Sequence, residues 1–272
     1  MSAAASSSAA PAANARHATY KLRYKDDYAV EVGLDEAGRG CLFGRLYVGA
    51  VAFSNDEEDF FDHGATLKEI KDSKVISKRK RAILSDYIED CALATSVAYA
   101  EAAEVDALNV LQADLACMHR ALDALVVPVE RVLVDGDHWR PYKDTEGYAI
   151  VDGDAQYLAI AAAGILAKVA RDKWVESVVE THPEWDAQYG LGRNMGYGTV
   201  VHMEGLKKHG ATLEHRRTFA PVAAAMGLPV KEKRMYPKKF KKGAVAAPAN
   251  TVVDSDVFLA TSSGTWMGVD ED

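Results

Sequence analysis

Residues 29–53 read AVEVGLDEAGRGCLFGRLYVGAVAF. Up to residue 35 the stretch alternates, with Val30, Val32 and Leu34 on one face and Glu31, Gly33 and Asp35 on the other. That is the period of a half-buried strand. A glycine-rich turn, GRGCLFG, interrupts it, and LYVGAVAF (46–53) forms a second strand-like run, so the two predict an antiparallel pair. The first strand ends on adjacent carboxylates, Asp35 and Glu36, just before the turn.

Residues 77–91 place Ile83, Leu84, Tyr87, Ile88 and Cys91 at helical spacing behind a capping Ser77. A strand is expected over 92–100. Leu108, Leu111, Leu115, Met118, Leu122 and Leu125 recur every three or four residues, which predicts one amphipathic helix over 105–125. RVLVD (131–135) and YAIV (148–151) read as short strands, residues 156–180 as a long Ala-rich helix, and 199–209 as a last helix stopped by Gly210. A hairpin followed by strands alternating with helices predicts an α/β fold, a mixed sheet flanked by helices.

The chain has 272 residues, 49% hydrophobic and 26% charged, which excludes collagen, coiled coil and wholesale disorder. No stretch has the ~18 uncharged apolar residues of a membrane helix, so no membrane role is expected. The three cysteines (Cys41, Cys91, Cys117) are widely spaced, which argues against a disulfide framework and a thiolate zinc site. The net charge of −8 divides unevenly: residues 231–242 carry +6, residues 254–272 carry −5, and residues 1–230 carry −9. A polyanionic partner of such a body needs local basic patches or bound cations. Residues 1–19 read as a disordered leader, with a mitochondrial presequence as the sharper alternative. Residues 20–230 read as the folded domain, and residues 231–272 as a basic, then acidic, flexible tail.

Four acids stand at strand ends: Asp35 and Glu36 after the first strand, Asp135 after RVLVD and Asp154 after YAIV. An α/β fold builds its site there. Alone, each acid reads as a turn former or helix cap. If the sheet sets the three strands side by side, four carboxylates converge and need cations to offset their charge. Hard oxygen ligands favour Mg2+ or Mn2+ over zinc, and a pair of such ions activates a water and stabilises the leaving oxygen of a phosphodiester.

The blocks GLDEAGRGCLFG (33–44), KDSK (71–74), VLVDGD (132–137), GILAKVARD (164–172), GYGT (196–199) and HGATLEHRRTFAPV (209–222) resemble those of ribonuclease HII, the type 2 ribonuclease H, in its single-chain bacterial-style branch. The resemblance implies a ribonuclease H-like sheet with a small helical C-terminal part. It puts Asp35, Glu36, Asp135 and Asp154 on the metal-binding, catalytic carboxylates of a two-ion site. Gly38, Arg39 and Gly40 fall on the loop that contacts the ribose 2′-hydroxyl, and Tyr197 on the aromatic packed against the neighbouring sugar. Ser73, Lys74 and Lys168 fall near substrate phosphates. The implied activity is a metal-dependent endonuclease acting on RNA/DNA hybrids and on DNA duplexes with embedded ribonucleotides. It cuts 5′ of the ribonucleotide, leaves 3′-hydroxyl and 5′-phosphate ends, and serves ribonucleotide and primer removal in DNA replication and repair. A monomer is expected inside the cell, in nucleus or mitochondrion if eukaryotic and otherwise in the cytoplasm.

The sequence departs from the family pattern at Asp152, at Ala161–Gly164, at Ala170 and at Gly198. None of these positions is one of the four carboxylates. His202, His209 and His215 are not at metal spacing and read as surface or phosphate contacts. Asp172 reads as one end of a helix-face salt bridge. The rival readings are a non-catalytic hybrid-binding protein on the same fold, and a nuclease of this fold that does not read the 2′-hydroxyl.

Overall fold

Strand β1 (Glu31–Ala37) pairs antiparallel with β2 (Leu46–Ala52), so the two runs flanking the glycine turn form the expected hairpin. In a computed structural model of the chain, the described residues are 20–55, 70 and 76–230. The leader (1–19), the tail (231–272), Ser73 and Lys74 lie outside them. After the hairpin come α1 (Lys78–Cys91), capped by the Ser77 side chain as expected, and β3 (Ala94–Ala100). Then follow α2 (Ala102–Leu108), α3 (Val110–Asp123), β4 (Arg131–Asp135) and β5 (Glu146–Ile150). A single 3-10 turn, Gly153–Ala155, leads into the long α4 (Leu158–Thr181). The chain goes on through α5 (Pro183–Tyr189), α6 (Leu191–Asn194), α7 (Val200–His209) and α8 (Ala220–Ala225).

The five strands form one mixed sheet in the order β3-β2-β1-β4-β5, with β1, β4 and β5 parallel. Their carboxyl ends therefore meet at one edge. Val32, Leu34, Val48 and Ala50 bury one face of the sheet with Ala113, Met118 and Leu122 of α3. On the opposite face α4 lies almost against the backbone. A Cβ on Gly33 would fall 2.3 Å from the Ala159 carbonyl carbon, and one on Gly49 2.2 Å from the Ala163 oxygen. Glycines facing a helix of alanines bring α4 this close.

The single helix expected over 105–125 is two. Asn109 breaks it with φ 71° and ψ 159°, a conformation open almost only to glycine, and its side chain caps α3 by accepting from the Leu111 and Gln112 amides. The apolar period runs on across the break, so it gave no warning; Leu108 is left 43% exposed.

Candidate active site

Parallel pairing sets Leu34 of β1 beside Val134 of β4 and Asp135 beside Ile150 of β5. The next residue of β1 is Asp35, and the turn after β5 carries Asp154. One ligand atom from each of Asp35, Asp135 and Asp154 lies within 4.8 Å of the others, the only such His/Cys/Asp/Glu group among the described residues. The chain brings them from positions up to 119 residues apart, which strand order alone accomplishes.

Each acid is held differently. Asp135 Oδ1 accepts from the Gly153 amide (2.8 Å) and the Asp154 amide (3.2 Å), so the 3-10 turn fixes its carboxylate. Asp35 is buried, and its Oδ1 accepts from the Glu36 amide at 2.7 Å. Burial first, then the nearby charges of Glu36 and Asp135, push its carboxyl well above the usual range. Its other oxygen rests against α4 at Gly164, where a Cβ would come within 2.1 Å of it. With no Cβ, Gly164 leaves Asp35 its room.

Glu36 points to the other face of the sheet and stands outside the close trio. Its Oε1 is 3.6 Å from Arg39 Nη1, which also lies 3.5 Å from the buried Asp114 of α3. Burial raises Glu36, Arg39 opposes that shift, and Asp135 adds to it. Asp114 is pushed up to about 8, by burial and then by Glu36, and its Oδ1 has no hydrogen-bond partner.

Two fully buried arginines shape the glycine loop. Arg216 donates to the carbonyls of Gly44 (2.9 Å), Gly38 (2.8 Å) and Arg39 (3.0 Å). Arg171 donates to those of Arg45 (3.1 Å), Met195 (2.8 Å) and Phe43 (3.2 Å). Carbonyls thus point inward to the guanidiniums at Gly38 and Arg39. Gly38 has φ 89°, and a Cβ there would strike Arg171 Nε at 2.1 Å, so only glycine fits. Burial pulls Arg216 down to about 10. Nothing in the sequence singles out Arg171 for this role, because an Arg reads as a surface residue until its partners are known.

Tyr197 is half exposed, its ring 5.9 Å from the Arg171 guanidinium, and burial pushes its hydroxyl up to about 12. Its turn meets the glycine loop directly, since the Leu42 amide donates to the Gly196 carbonyl at 2.9 Å. Lys168 is tied to Asp172 one helical turn on, as expected for a helix-face pair, and Arg81 of α1 joins Asp172 at 3.2 Å. The surface reading fails for His202 and His215: both are fully buried, with their Nε2 atoms 3.0 Å apart. Nothing in a histidine's spacing distinguishes a buried pair from two surface residues.

Comparison with known proteins gives a consistent result. The family model for ribonuclease HII matches residues 32–222. A ribonuclease HII from Paracidovorax citrulli is 45% identical over 194 residues, 71% of this chain and 75% of its own. One from Parabacteroides distasonis is 39% identical over 198 residues, 73% of this chain and 94% of its own. Among solved structures, ribonuclease H2 from Pyrococcus horikoshii OT3 shares the fold with a TM-score of 0.60 at 24% identity, covering 72% of this chain and 97% of that one. A Bst ribonuclease HIII solved with Mn2+ shares it with a TM-score of 0.53 at 16% identity, covering 82% and 76%.

Proposed function

Because the chain belongs to the ribonuclease HII family, and is an endoribonuclease acting on RNA/DNA substrates, we propose that it hydrolyses the phosphodiester 5′ of ribonucleotides, including single ones embedded in duplex DNA. The products carry 3′-hydroxyl and 5′-phosphate ends. The observation that carries this reading is the meeting of Asp35, Asp135 and Asp154 within 4.8 Å, at the edge where β1 enters the glycine loop.

The family is metal-dependent, and the donor set here fits a hard divalent cation: carboxylate oxygens crowded together, one of them buried and destabilised by its neighbours' charge. Asp35, Asp135 and Asp154, joined by Glu36 from the end of the same strand as Asp35, would hold Mg2+ or Mn2+ as a two-ion site, which when bound activates a water and stabilises the leaving 3′-oxygen. The residues around them do the positioning. The Gly153 and Asp154 amides orient Asp135, and Gly164 leaves space for Asp35. With the Gly38 and Arg39 carbonyls turned inward by Arg216, the loop Gly38–Arg39–Gly40 offers backbone groups to a ribose. Only the 2′-hydroxyl distinguishes one ribonucleotide from a deoxynucleotide, so a close backbone approach suits the task. Tyr197 packs against the adjoining sugar, and Ser73, Lys74 and Lys168 serve the phosphates.

Residues 20–230 form the catalytic domain of this reading, working as a monomer wherever the cell replicates its DNA, in ribonucleotide and primer removal. Cleavage of a long hybrid, a duplex with one ribonucleotide and an all-DNA duplex, in Mg2+ and in Mn2+, tests the substrate and the metals. The first two are expected to be cut, with 3′ ends that a polymerase extends, and the third left intact. Ends that cannot be extended, or cutting of the all-DNA duplex, would overturn the reading.

A further inference from the structure

The hydrogen bonds of His202 and His215 fix the tautomer of each. His202 Nδ1 lies 3.0 Å from the Tyr197 carbonyl, which only accepts, so Nδ1 carries the proton and Nε2 a lone pair. His215 Nδ1 accepts from the Thr212 amide at 2.9 Å, so its proton sits on Nε2. The two Nε2 atoms, 3.0 Å apart, are then donor and acceptor. A directed chain results: Thr212 N–H to His215, His215 to His202, His202 to the Tyr197 carbonyl. Burial lowers both rings' basicity, in keeping with the neutral forms that these bonds require.

The ends of this chain are the parts that matter. Tyr197 opens the turn before α7, whose cap Thr199 is also joined to it, its amide donating to the same carbonyl. His215 lies between Glu214, whose carbonyl takes the Gly44 amide at 2.7 Å, and Arg216, whose amide donates to the Leu42 carbonyl at 2.9 Å and whose guanidinium holds Gly38 and Arg39. Phe43 packs edge-on against the His215 ring. The two rings therefore join the segment that carries the glycine loop to the turn that carries Tyr197.

We infer that His202 and His215 are positioning residues: a neutral, directed pair that sets Tyr197 against the Gly38–Gly40 loop and so sharpens recognition of a single ribonucleotide. The inference rests on the proposed substrate contacts of Tyr197 and the loop. Neither ring is assigned a proton-transfer step.

Geometry supplies a discriminating test, because an Asn amide nitrogen reproduces the Nδ1 position of His and a Gln amide reproduces Nε2. His202→Phe keeps ring volume and removes both bonds. On a duplex with one ribonucleotide it is expected to raise KM at least about fivefold, the scale of one lost hydrogen bond, with a smaller effect on a long hybrid and none on the metal concentration needed for half-maximal rate. His202→Asn is expected to recover most of that loss and His202→Gln little of it. Equal behaviour of the Asn and Gln variants, or equal losses on both substrates, would overturn the inference. Imidazole 15N spectra of the unaltered protein at pH 7 give a readout free of folding artefacts. A neutral Nδ1–H His202 with a neutral Nε2–H His215 supports the pair, and an imidazolium or the opposite tautomers refutes it. Tyr197→Ala separates the levels: if it cuts normally, the Tyr197 reading fails, whereas if it is impaired and His202→Phe is not, only the present inference fails.

Discussion

Asp135 and Gly164 show how single residues set the site. Asp135 has its carboxylate orientation fixed by two amides of the turn that also carries Asp154, so one short segment supplies both an acid and the means of aiming another. Losing a residue that merely supports a metal ligand commonly costs ten- to a hundredfold. Asp135→Asn is therefore expected to lower the cleavage rate by at least about a hundredfold, with thermal stability held or raised, because it relieves repulsion among the acids. A rate within threefold of the parent would place the chemistry elsewhere. Gly164 is the complementary case. A methyl group there meets Asp35 Oδ2 at 2.1 Å, so Gly164→Ala is expected to displace the carboxylate, reduce activity and cost about 1–3 kcal/mol by overpacking. Denaturant melts with parallel rate measurements check it, and an unaffected variant would show that Asp35 has room to move. The acids themselves were legible in the sequence as strand-end carboxylates. The space that Gly164 provides was not, because only the packed helix shows what a missing Cβ leaves free.

At the scale of elements, alternation and helical spacing read well wherever an element has one buried face. The β1–β2 hairpin, α1 behind Ser77, β4 and α7 all stand within a few residues of their expected bounds. The break between α2 and α3 did not read, since Leu108 and Leu111 keep helical spacing across a residue whose backbone is not helical. The short α5 and α6, of seven and four residues, are too brief to show a period. Asn109 carries a prediction of its own. Asn109→Ala removes the side-chain cap while keeping the unfavourable backbone, and is expected to cost about 1–2 kcal/mol, measured by urea unfolding. No loss would mean that α3 is held by its packing alone. The mixed sheet follows from the alternation of strands with helices, but the adjacency of β1, β4 and β5 does not, because strand order is set by tertiary packing and leaves no periodic trace in the chain.

The whole molecule balances charge against burial. Residues 1–230 carry −9, yet the site's loop is built around two buried guanidiniums that lean on carbonyls. Buried neutral histidines add a pH dependence. Burial holds His202 below its ordinary value and lowers His215 to about 3, against about 6.5 when unfolded. Between those values the unfolded chain binds more protons than the native one, so stability falls as pH drops from about 6.5 toward 3. The parent's melting temperature is expected to fall more steeply over that window than that of a His202→Asn, His215→Gln double variant, even if the variant is less stable at pH 7. Parallel profiles would show that the pair does not titrate with unfolding.

On the proposed function, converging carboxylates cut where the glycine loop finds a 2′-hydroxyl. Its most direct test is cleavage of two DNA duplexes that differ in one 2′-hydroxyl, by the parent and by Asp135→Asn, with Mg2+ or Mn2+ present. A single cut, 5′ of the ribonucleotide, by the parent alone is expected. Equal cutting of both duplexes, or cutting undiminished in the variant, would contradict it.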